Sequence, residues 1–168
     1  VDLVEQQIKI AQGEAIDLSK AKPDGHAIEL RIYAENPDKK FMPATGRLHQ
    51  VRLPQENPWT RIDHSVEQGM EVTSFFDPML LKLTVWGKSR EDAITEALEQ
   101  LSKLALVGVD TNHSYLAWVL GHKDFASNHH HTQWVDQRFD DYMEYREGRL
   151  ADAVAVWQYH QWEKHTSP

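Results

Sequence analysis

Cysteine is absent from all 168 residues, so neither disulfides nor thiolate chemistry are available and the fold must stand on its core. Basic residues are in deficit: 18 Lys and Arg face 26 Asp and Glu, for a formal charge of −8. With no basic run to offset it, that balance argues against a nucleic-acid partner. No apolar stretch reaches the roughly 18 residues of a membrane span, and no signal-peptide pattern is present. Glycine is sparse, and its 8 copies form neither a P-loop nor any other glycine-rich phosphate cradle. What is present, 40% hydrophobic and 26% charged, is the composition of an ordinary globular protein. The length fits one domain, or one domain with an appendage.

The chain opens on valine and is in helical register at once, with Leu3, Val4, Ile8 and Ala11 on one stripe and Gly13 as the stop. A helix that starts without an evident cap reads as part of a longer polypeptide. Lys22-Pro23-Asp24-Gly25 then turns into a strand over 25–35. Further strands are expected over 47–53, 59–66, 71–75 and 81–87. The clearest helix follows, with Ser89 as N-cap and Ala93, Ile94, Ala97, Leu98, Leu101 and Leu104 on one face. After an extended piece at 106–109, Thr111 or Asn112 is expected to cap a helix that ends at Gly121. Thr132 is expected to cap another, and a last helix is expected over 150–162. Strands first and helices after predict an α+β fold with an antiparallel sheet.

The strand over 25–35 is the most informative segment. Ile28, Leu30, Ile32 and Ala34 point one way; Glu29, Arg31, Tyr33 and Glu35 point the other. Carboxylates flanking Arg31 on that face would hold its guanidinium in one orientation and leave part of the donor fork for a planar anion. The plainer alternative is an antiparallel strand with a solvated polar face.

This segment, GHAIELRIYAENP followed by FMPATGRL, resembles the C-terminal domain of biotin carboxylase. The likeness continues through Ser74-Phe75-Phe76-Asp77-Pro78-Met79-Leu80-Leu81-Lys82-Leu83 and Gly108-Val109-Asp110-Thr111-Asn112, and runs from Val1 to about Phe139. RIYAENP, FMP and DPM are most similar to the acyl-CoA carboxylase α subunits, the methylcrotonyl type above all. The resemblance implies a curved antiparallel sheet akin to a half-barrel sandwich, packed with helices. It implies a domain over 1–147, with 148–168 starting a linker helix. It also implies a parent ligase that carboxylates biotin with bicarbonate and ATP. The ATP and Mg²⁺ would be held by an ATP-grasp domain upstream, and the biotin by a separate carrier domain. Partners implied are that ATP-grasp domain, a second copy in a homodimer, the biotin carboxyl carrier domain and a carboxyltransferase subunit. The compartment would be the cytoplasm, or the mitochondrial matrix in a eukaryote.

Within that frame Arg31 is the catalytic candidate, facing the biotin and bicarbonate site and stabilising negative charge on the ureido oxygen. Glu29 either orients Arg31 or is a solvated strand carboxylate. Asp77 either stands near the biotin pocket, as its family position implies, or is a turn aspartate ahead of Pro78. Lys82, with apolar neighbours on both sides, reads as half of a salt bridge. Phe75 and Phe76 read as core or interface aromatics, and His26 as structural. The run His129-His130-His131 near His122 lacks ligand spacing, so no metal is expected. The competing reading is an assembly module in which Trp59, Arg61 and the strands over 47–66 matter more than Arg31. The equivalent domain of a pyruvate or urea carboxylase is a further alternative.

Overall fold

The computed structural model describes residues 1–19, 21–150 and 154. Three strands form the main sheet, β1 (His26–Tyr33), β6 (Thr60–His64) and β8 (Met79–Gly87), in the order β1-β8-β6 and antiparallel throughout. The period-two pattern decides its inner face: Ile28, Leu30, Ile32 and Ala34 are buried, as are Leu81, Leu83 and Val85 of the central strand. Helix α2 (Arg90–Lys103) covers that face with Ala93, Ile94, Ala97 and Leu101. Its start is a full capping box: Ser89 Oγ accepts from the Asp92 amide and the Asp92 carboxylate accepts from the Ser89 amide. The Glu96 carboxylate binds α2 to β6, accepting from Thr60 Oγ1 and Gln100 Nε2 at 2.8 Å each. Gly25, at φ +66°, sits so close to Gly87 and the Trp86 ring that a Cβ would overlap both.

The remaining strands form short antiparallel ladders. β2 (Glu35–Asn36) pairs with β3 (Met42–Pro43), β4 (Gly46–Arg47) with β7 (Glu71–Val72), and β5 (Gln50–Arg52) with β9 (Ala105–Val107). The single strand expected over 47–53 is therefore two: Leu48, fully buried, and His49 break it, and each half takes a different partner. Helices α3 (His113–Gly121), α4 (Lys123–Ala126) and α5 (Trp134–Gln137) follow, with helical backbone again over 139–150. They gather a second, aromatic core of Tyr115, Trp118, Trp134 and Tyr142, with Phe41 and Phe139 packed against it. The fold is α+β, as expected.

Several boundaries differ from expectation. Helix α1 (Leu3–Ala11) is capped after all, by Asp2, whose carboxylate accepts from the Glu5 amide at 3.0 Å. None of its residues is buried, so its apolar stripe meets no core here. Thr132 caps nothing: Gln133 precedes α5 and makes no side-chain cap bond. The sequence reading missed α4, which His122 caps through Nδ1. Helical backbone runs over 139–150, and most of the linker helix expected over 148–168 lies outside the described residues. Most of the helix expected over 150–162 lies outside the described residues.

Candidate active site

The outer face of the main sheet is a small lattice of charge. Strand register sets it: Arg31 pairs with Lys82 and Lys82 with Asp63, while Glu29 pairs with Thr84 and Thr84 with Arg61. Arg31 Nε donates to Glu29 Oε1 at 2.7 Å. On the far strand, Arg61 donates to Asp63 Oδ1 from Nε at 3.1 Å and Nη2 at 2.7 Å. Lys82 lies between the two pairs and sides with the second, its Nζ 3.8 Å from Asp63 Oδ2. The salt bridge read for Lys82 is thus present.

Arg31 keeps 58% of its side chain exposed. Its carboxylate bond uses Nε alone, and the Tyr33 hydroxyl is the guanidinium's second neighbour. The Glu29 carboxylate first, and the Tyr33 hydroxyl second, hold the guanidinium's pKa above its ordinary value. A charge so fixed, with half its fork free, can take a planar oxyanion. Arg31 does not sit between two carboxylates, however. Ala34 ends the strand run, and Glu35 begins β2 instead of continuing that face. Burial, and behind it the Asp77 charge, push the Glu35 pKa up.

Asp77 is an exposed turn residue whose Oδ1 accepts from the Met79 amide at 2.8 Å. The pairing of Tyr33 with Met79 places it at the Arg31 end of the sheet, but it bonds neither Arg31 nor Glu29. The structure thus brings Glu29 and Arg31 together and leaves Asp77 apart. Asn112 does not cap α3 through its side chain. It reaches back to β1, where Oδ1 accepts from the Tyr33 amide at 3.0 Å and Nδ2 donates to the Arg31 carbonyl at 3.1 Å. No sequence signal showed this, because 81 residues separate the partners.

The family model for the biotin carboxylase C-terminal domain matches residues 29–137, which takes in this whole arrangement. The chain belongs to that family. Methylcrotonoyl-CoA carboxylase subunit alpha, mitochondrial, of Rattus norvegicus is 41% identical over 144 residues, covering 84% of this chain and 20% of that protein. Biotin carboxylase 1 of Bacillus subtilis (strain 168) is 33% identical over 137 residues, covering 80% and 30%. The biotin carboxylase domain dimer of Hydrogenobacter thermophilus 2-oxoglutarate carboxylase, solved with MgADP, ADP and bicarbonate, superposes with a TM-score of 0.76. It is 30% identical and is covered to 32% by 84% of this chain. The chain spans about a fifth of the length of its methylcrotonoyl-CoA carboxylase relatives.

Other features of this biotin carboxylase C-terminal domain are accounted for without a ligand. His129 bonds Ser127 Oγ at 2.8 Å, His130 packs on Phe125, and His122 lies against Trp118 and Trp134. Among the described residues no three His, Cys, Asp or Glu side chains are placed to hold a metal ion. His26 is an exposed residue opposite Gly87. Phe75 and Phe76 are not core: they are 86% and 83% exposed. No described helix is long and apolar enough to cross a membrane.

Proposed function

We propose that this domain is the C-terminal part of an ATP-dependent biotin carboxylase, with Arg31 the residue that meets the reacting anion. The observation that carries the reading is the Arg31–Glu29 pair: a half-exposed guanidinium bound to its carboxylate through Nε alone, on a strand with a packed inner face. Glu29 fixes the angle of the fork. Its two Nη groups are then aimed before any anion arrives, so little reorganisation is needed as charge develops. Lysine would not replace it, because an ammonium lacks the planar fork.

Biotin, presented on its carrier, supplies the ureido group that takes up carboxylate. The described residues do not fit ATP or Mg²⁺: they offer neither a glycine-rich phosphate loop nor a metal cluster. Those ligands are assigned to an ATP-grasp domain elsewhere in the parent. The biotin carrier and a carboxyltransferase subunit are its further partners. Residues 1–147 act as the domain proper, and 148–168 lead toward the rest of the parent. The parent is an acyl-CoA carboxylase of the methylcrotonoyl type, working in the cytoplasm of a bacterium or the mitochondrial matrix of a eukaryote. The test is Arg31→Ala in the whole enzyme. Biotin carboxylation should fall by about 10²-fold or more, as when an oxyanion donor is lost. Near-normal turnover would remove Arg31 from the chemistry.

A specific observation favours an assembly role beside this one. At the Arg61 end of the same face, Trp59 is 52% exposed and stacks on Trp86 at 4.9 Å between centroids. Exposed tryptophan beside arginine is the make-up of an interface centre. We assign that end to contact with a second copy. Arg61→Glu should dissociate the parent dimer in sizing chromatography; an unchanged elution volume would refute the assignment.

A further inference from the structure

β1 is an outer strand of its sheet, so the edge turned away from β8 has backbone groups that need partners. At residues 31–33 a single residue supplies three of them. Asn112 Oδ1 accepts from the Tyr33 amide at 3.0 Å, Asn112 Nδ2 donates to the Arg31 carbonyl at 3.1 Å, and the Asn112 amide donates to the Tyr33 carbonyl at 3.2 Å. A primary amide carries a donor and an acceptor side by side, as a peptide group does, so Asn112 copies the ladder of an absent strand. An N-cap requires only an acceptor, and Ser or Asp would serve there. Here both halves of the amide are used, and the residue is only 7% exposed.

The opposite edge of the same three residues is irregular. The register with β8 slips between Ile32 and Tyr33, whose successive partners are Leu81 and Met79. The extra residue, Leu80, belongs to β8, and a bulge bends the strand that carries it. Arg31 therefore stands beside a kink on one edge and a clamp on the other. Glu29 holds its guanidinium, while the β8 ladder on one edge and the clamp on the other hold the backbone from which that guanidinium projects.

We propose that Asn112 is a positioning residue for Arg31, fixing the backbone of residues 31–33 so that the free side of the guanidinium meets the reacting anion. This rests on the reading of Arg31 given above. A merely structural Asn112 would join α3 to β1 and affect stability alone.

The experiment is a double-mutant cycle in the whole parent enzyme: Asn112→Asp, Arg31→Ala and the pair, assayed for biotin carboxylation, ATP KM and thermal midpoint. Asn112→Asp keeps the shape and the acceptor but turns an anionic oxygen on the Arg31 carbonyl. Biotin carboxylation kcat should fall about tenfold or more, since misplacing a reacting group by an ångström costs up to about 10²-fold. The KM for ATP should stay within about twofold of the parent value. The loss should shrink as pH is lowered, because a protonated carboxyl regains the donor. On the Arg31→Ala background, Asn112→Asp should cost nothing more.

An unchanged kcat in Asn112→Asp, beside a strong Arg31→Ala effect, overturns this inference alone. Losses that simply multiply in the pair overturn it too. Normal turnover in Arg31→Ala defeats both readings together. If Asn112→Asp folds poorly, Asn112→Ser, whose hydroxyl can replace one of the two side-chain bonds, decides the same cycle.

Discussion

Arg31 and Arg61 stand on the two outer strands of one sheet, each paired with a carboxylate two residues away, and the pairs are wired differently. Arg61 spends both Nε and Nη2 on Asp63, which Lys82 also approaches; its side chain is 73% exposed beside a tryptophan stack. Arg31 spends Nε alone, and its backbone is tied down by Asn112. Two arginines with the same local sequence logic thus have different free valence. A guanidinium already chelated is suited to a static contact, whereas one with a spare pair of donors is suited to a ligand that comes and goes.

Four experiments test that contrast. Leu83, fully buried in the central strand, supports both ends of the face. Leu83→Ala should cost about 2–5 kcal/mol in denaturant melts and lower the stability of both ends in one transition. If only one end loosens, the sheet is not a common platform for the two ends.

Next come the arginines themselves. Arg31→Ala should cost about 10²-fold in biotin carboxylation, while Arg61→Ala should change kcat less than about threefold under conditions where the dimer persists. Reversed magnitudes would exchange the roles assigned to the two residues. The carboxylates should follow at smaller scale. Glu29→Gln leaves a neutral acceptor for Nε and should lower kcat by about tenfold, whereas Asp63→Asn should leave it nearly unchanged. Equal losses would show that Glu29 does not orient the fork.

The smallest effect concerns Glu35, which has no counterpart at the Arg61 end. Its pKa is raised in the folded state, so its contribution is fully present below the ordinary carboxylate range and fades as pH rises through the folded value. Glu35→Gln should therefore raise the thermal midpoint slightly at neutral pH and change nothing in acid. A lower midpoint at neutral pH would contradict the sign.

The aliphatic core was legible because its periodicities are local. Alternation over 26–33 and 79–87 and the stripe from Ala93 to Leu104 each assign an inner face from a dozen residues or fewer. The aromatic core was less so. Phe41 reaches it from a turn in which Lys40 and Phe41 both have positive φ, and Tyr142 reaches it from the last helical stretch. Nothing in either segment's own pattern names the other. The site divided in the same way. Arg31 and Glu29 share a strand face at a spacing of two, which the sequence displays. The burial of Glu35 depends on where the strand breaks, and the Asn112 clamp depends on how α3 docks.

From the residues alone came the α+β class, the inner and outer faces of β1 and β8, the start of α2, and the arginine that family resemblance marks. These rest on interactions within a few residues of chain, where spacing dictates geometry. Tertiary structure alone decided that Arg61 is chelated while Arg31 is half free, that Phe75 and Phe76 are bare, and that an asparagine 81 residues away completes the edge of β1. Such contacts join segments whose separation carries no periodic signal, and only packing brings them within hydrogen-bond reach.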